Sequence, residues 1–93
     1  MQGLLDLLGL VADEVNAERG RVEVVIKLKR VLVVYMHCDA ISISLRRPRR
    51  GLVVAAGRVI VWDDKQRVEL RVDASVEHLN IDGGKLRIML RVV

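Results

Sequence analysis

Between residues 2 and 19, apolar side chains recur at Leu4, Leu8, Val11 and Val15, with Leu5, Leu7 and Ala12 beside them. Spacings of three and four predict an amphipathic helix over 2–19 with a broad apolar face. Asp13, Glu14 and Glu18 fall on its polar side, and Gly20 is expected to stop it. Acids near a helix C-terminus oppose the helix dipole, so such a helix must be held by docking against something else.

After Gly20 the period changes to two. A hairpin register is credible when it sets apolar residues opposite apolar residues on one face, and four hairpins meet that test. Gly83 and Gly84 supply a tight turn that pairs Asp82 with Lys85, Ile81 with Leu86 and Leu79 with Ile88. A turn at Asp64 and Lys65 sets Val61 opposite Val68 and Val59 opposite Leu70, leaving Arg58, Arg67, Glu69 and Arg71 on the other face. Residues 41–45 alternate Ile and Leu with Ser, pass a tip containing Pro48 and return through 52–56, with a bend at Gly57. Residues 21–29 and 30–37 form the remaining pair, matching Leu28 with Val31, Ile26 with Val33 and Val24 with Tyr35 about Lys29 and Arg30, a turn of poor chemistry. Residues 31–36 are apolar on both faces and call for cover on both sides, from the helix, a second sheet or a partner subunit.

The expected fold is therefore α+β and mostly β. An N-terminal amphipathic helix precedes a seven- to eight-stranded antiparallel meander over 21–93, closed as a barrel or folded as a two-layer sandwich. Ninety-three residues make one domain, 1–93.

Composition sharpens this picture in two ways. Hydrophobic residues make up 52% of the chain but aromatics only 2%, so the core must be aliphatic and rich in Val. That much aliphatic surface is difficult for so short a chain to cover alone, which points to self-association, a dimer above all. Leu4, Leu5 and Leu8 on the helix and Val33 and Tyr35 in the doubly apolar segment are the candidate interface residues. Charged residues reach 30%, a balance of the kind found in heat-adapted proteins. A single Cys leaves no intrachain disulfide and makes the cytoplasm the expected compartment. The opening apolar run lacks a basic leader segment and is interrupted by Asp6, and no stretch approaches the ~18–20 apolar residues of a membrane span, so no membrane partner is expected.

Candidate chemistry is sparse. Arg46, Arg47, Arg49 and Arg50 crowd around Pro48 at a hairpin tip, where guanidinium groups suit backbone phosphates, and the net charge is +4. Nucleic-acid binding through this tip is the alternative to a homo-oligomeric module of unknown ligand; a solvated turn that discourages edge aggregation is the simpler reading of the same residues. Cys38 and His78 would need a third orienting group to act as a nucleophilic pair, and adjacent strand residues such as His37 and Cys38 point to opposite faces, which does not assemble a metal site. Asp63 and Asp64 suit turn capping better than acid–base work, and Trp62 suits the rim of the core. No catalytic residue, metal or cofactor is expected, and the protein reads as a non-enzyme.

Overall fold

The computed structural model describes residues 2–93. Helix α1 (Gln2–Gly9) leads into β1 (Glu14–Glu18) and β2 (Arg21–Lys27). A 3₁₀ turn (Leu28–Arg30) crosses to β3 (Val31–His37), followed by β4 (Ala40–Leu45), β5 (Arg50–Ala55), β6 (Arg58–Asp63) and β7 (Arg67–Arg71). The chain then returns through β8 (Ala74–Asp82) and β9 (Lys85–Val92). One short helix and nine strands thus make the described fold, mostly β, with every pairing antiparallel. The strands form a four-stranded sheet in the order β1-β2-β9-β8 and a five-stranded sheet in the order β3-β4-β5-β6-β7. Neither sheet closes on itself into a barrel.

Alternation drives both sheets. In β4, Ile41, Ile43 and Leu45 are buried while Ser42 and Ser44 are not; in β9, Leu86, Ile88 and Leu90 are buried between partly exposed neighbours. These inward positions join Val22, Val24 and Ile26 of β2, Leu52 and Val54 of β5, and Val59 and Val61 of β6 in a single aliphatic cluster. Each such side chain removed from water contributes ~1.5–3 kcal/mol, and the cluster is the principal source of stability.

Three expectations are corrected. The helix ends at Gly9 rather than at residue 19, because Glu14–Glu18 alternate as a strand: Val15 and Ala17 face Val24 and Val22, while Glu14, Asn16 and Glu18 take the other face. Gly20 accordingly serves the β1–β2 turn at φ +70°, not a helix end. The strand count is nine rather than seven or eight, the extra strand being β1. Finally, β2 and β3 do not pair; β2 lies between β1 and β9, and the 3₁₀ turn carries the chain from one sheet to the other. Two of the other hairpins hold their expected registers, including Leu79 opposite Ile88 and Val61 opposite Val68, and the hairpin around Pro48 forms with Ile43 opposite Leu52.

An eight-residue helix is too short to persist alone. Leu4, Leu7 and Leu8 dock it into the core, together with Val11 just beyond its end. Its last carbonyls are met by a tightened turn, with Leu10 N–H donating to Leu7 O at 3.1 Å, and by Arg50, whose Nη1 donates to Leu10 O at 2.8 Å.

Candidate association edge and basic end

Strand β3 is the edge of the five-stranded sheet. Opposite it the other sheet has one strand fewer, and β8 packs against β4 and β5. β3 therefore overhangs the core. Its side chains alternate as any strand's do: Val34 and Met36 share the face of Ile43 and Ile41, while Val33 and Tyr35 share the face of Ser44 and Ser42. Yet both sets are open to water, with Leu32 54%, Val33 53% and Tyr35 64% exposed, and Val34 and Met36 also exposed. Of the segment that calls for cover on both sides, only Val31 is packed against the core; residues 32–36 are exposed on both faces within one subunit.

A bulge at Leu32, between Val31 and Val33, ends the regular ladder at the start of β3. Bulges commonly protect an edge, as do charges and proline, but from Val33 to Met36 this edge carries none of these. The apolar surface continues onto the outer face of the sheet, where Tyr35, Ala40, Ser42, Val53 and Ala55 line a shallow hollow. Farther along that face the Trp62 ring lies directly over Gly51, filling the space a Cβ would need, and it also borders a hollow with Leu10, Arg50 and Gln66.

Of the residues expected at an interface, Leu4 and Leu8 are inside this subunit's own core and Leu5 is packed at its margin. Val33 and Tyr35 lie together on the open edge. Leu32, Val34 and Met36 were legible from the same doubly apolar run, and they join them there.

The arginine tip divides. Arg46, Arg47 and Arg49 are exposed, whereas Arg50 turns inward to the end of α1, and its Nε is buried without a hydrogen-bond partner among the described residues. The 3₁₀ turn binds this tip to its surroundings: Arg46 N–H donates to Arg30 O and Leu28 N–H to Gly84 O, each at 2.9 Å. Asp13 anchors the turn itself, its Oδ2 accepting the Lys27 N–H at 2.7 Å and lying 2.9 Å from Arg30 Nη1. Partial burial works to raise the Asp13 carboxyl pKa, but the Lys27 N–H and the Arg30 guanidinium outweigh it and hold the group below its ordinary value. Asp63 caps its own turn, Oδ1 accepting from the N–H groups of Lys65 and Gln66, and these bonds lower its pKa as well.

Cys38 and His78 are both exposed; the turn bearing Cys38 is tied to β8 by Val76 N–H donating to Asp39 O at 2.9 Å. Among the described residues no group of three or more His, Cys, Asp or Glu is placed to hold a metal ion, and no helix is long and apolar enough to cross a membrane. Comparison with protein-family models, with curated proteins and with solved structures finds no match for this chain.

Proposed function

We propose that this protein is a non-enzymatic homo-oligomeric module, a two-layer sandwich that dimerises by pairing β3 with β3 of a second copy across a two-fold axis. The observation that carries the reading is an edge strand apolar and exposed on both faces. The occupant is argued from self-complementarity. With Val34 on the axis, an antiparallel pairing sets Val34 against Val34 and Val33 against Tyr35, and brings Met36 to the bulge at Leu32, so the apolar residues from Leu32 to Met36 meet one another.

The area suits a weak dimer. Five half-exposed large side chains amount to on the order of 500 Å² per copy, about 1,000 Å² for the pair when fully covered, below the ~1,200–2,000 Å² of stable interfaces and in the range of transient ones. Association costs ~4–15 kcal/mol, so an interface of this size leaves a small surplus, and the edge backbone hydrogen bonds add specificity; an affinity of micromolar order is expected.

Sedimentation equilibrium tests this. The wild type should approach twice 10.5 kDa at tens of micromolar, whereas Val34→Lys, which sets two ammonium groups on the axis, should sediment at 10.5 kDa with an unchanged far-UV spectrum. A wild type that stays at 10.5 kDa up to several hundred micromolar would overturn the proposal.

A further inference from the structure

We infer that the end of the molecule built around the 3₁₀ turn is a binding surface for the phosphodiester backbone of double-stranded nucleic acid, formed by Lys27, Lys29 and Lys85 together with Arg46, Arg47 and Arg49. The site is independent of the β3 edge and stands whether or not two copies pair. Two observations carry it.

First, the fold gathers cations from distant parts of the chain. Arg46 is held to Arg30 and Leu28 to Gly84 by backbone hydrogen bonds, which joins the β4–β5 tip, the 3₁₀ turn and the β8–β9 turn into one surface. Lys27 and Lys85 stand directly opposite each other in the β2–β9 ladder. Like charges so placed repel and cost stability; Arg21 opposite Arg91 and Arg58 opposite Arg71 repeat the arrangement elsewhere, but there Glu77 and Glu69 lie within 4 Å of Arg21 and Arg58.

Second, among the described residues none of these six cations is held in an ion pair while others are, although Lys85 stands opposite Asp82 in the β8–β9 ladder. Arg21, Arg58, Arg67 and Arg87 lie within 4 Å of Glu77, Glu69, Glu69 and Glu23, and Arg30 is paired with Asp13. None of the six has a carboxylate within that distance among the described residues. Of the acids at this end, Asp13 is engaged by Arg30 and Lys27 N–H, and Asp63 by its own turn, which leaves Asp64 and Asp82 as the opposing charges. At the far end Arg19, Arg71 and Arg91 are also outside ion pairs, but they are interspersed with Glu18, Asp39 and Asp73.

The choice of duplex follows from what accompanies the charge. Base recognition in single strands relies on aromatic stacking platforms; Tyr35 lies on the β3 edge, and Trp62, the aromatic near this end, is half-buried with its ring laid against Gly51. Long, exposed Lys and Arg side chains without such a platform read phosphates and release counterions, which gives salt-dependent binding with little sequence preference.

Fluorescence anisotropy with a labelled 20-base-pair DNA duplex tests the inference, on the wild type and three charge-matched variants whose folding is checked by thermal melting. The wild type should bind at low salt with log affinity falling steeply against log salt, a slope of about −4.5 to −5.4 for five or six contacts. Lys27→Gln/Lys29→Gln/Lys85→Gln and Arg46→Gln/Arg47→Gln/Arg49→Gln should each weaken binding at least tenfold and lower the slope by about 2 to 3. Arg19→Gln/Arg71→Gln/Arg91→Gln, with the same loss of net charge, should bind within threefold of the wild type. No binding at 50 mM salt, or equal weakening by the third variant, would overturn the site. Tighter binding to a single strand of the same length, or to anionic phospholipid vesicles, would overturn the assignment to duplex.

Discussion

Replacing Asp13 with Ala tests how the two sheets are joined. The change removes the acceptor for Lys27 N–H at 2.7 Å and the carboxylate 2.9 Å from Arg30 Nη1, the two side-chain contacts that hold the 3₁₀ turn between β2 and β3. A hydrogen bond to a charged group contributes ~1.5–3 kcal/mol and a solvent-accessible ion pair ~0.2–1 kcal/mol. Because the Asp13 side chain is 26% exposed, water recovers part of both, and the expected loss is about 2 kcal/mol. Asp13→Asn keeps a neutral acceptor for the amide and should lose about half as much. The sign of the pH dependence follows from the lowered carboxyl pKa: the contribution is complete above the ordinary value of 3.8 and fades as pH falls through the depressed one. Urea denaturation at fixed protein concentration, followed by circular dichroism, should therefore show a constant gap between wild type and Asp13→Ala from pH 7 to about pH 5, closing towards pH 2. A variant within ~0.3 kcal/mol of wild type at pH 7, or a gap that persists undiminished at pH 2, would refute the assignment of Asp13 as the anchor.

Two further substitutions probe the core and the sheet face. Leu8→Ala empties a fully buried position at the junction of α1 with the sheets and should cost about 3 kcal/mol in urea titration; a cost under ~1 kcal/mol would mean that the helix is not docked as described. Gly51→Ala drives a methyl group into the Trp62 ring, so a loss of about 1–3 kcal/mol should accompany a red shift in the emission of the chain's single Trp. Unchanged emission would show that the ring does not rest on Gly51.

The β8–β9 and β6–β7 hairpins were legible because each carries its own turn residues and a register that one face satisfies, as at Gly83 and Gly84, whereas the β4–β5 hairpin was legible from the alternation of Ile and Leu with Ser. β1 was not legible for a geometrical reason. Leu4, Leu8, Val11 and Val15 keep helical spacing across a boundary where the chain changes from helix to strand, so Val15 fits both periods; the alternation of Glu14, Asn16 and Glu18 around Val15 and Ala17 was the competing signal. β2 and β3 are adjacent in sequence, which favours a hairpin, yet Lys29 and Arg30 offer no residue suited to a tight turn, and that weakness marked the crossover. The excess of apolar residues in β3 was readable from sequence, whereas its overhang was not, since it depends on the two sheets having unequal strand numbers. Nor could sequence place Lys27, Lys29 and Lys85 beside the arginine tip, because hydrogen bonds between residues far apart in the chain assemble that surface.

The direction of β3 has a geometrical consequence for any assembly built on it. This strand starts beside the 3₁₀ turn and finishes at the Cys38 turn on the opposite pole. Two such strands running head to tail aim their cationic poles away from each other, along one line and on either side of the symmetry axis. Joined subunits are then not a single enlarged patch but a two-headed tether, able to hold two separate polyanionic segments at once and unable to focus both heads on the same short one.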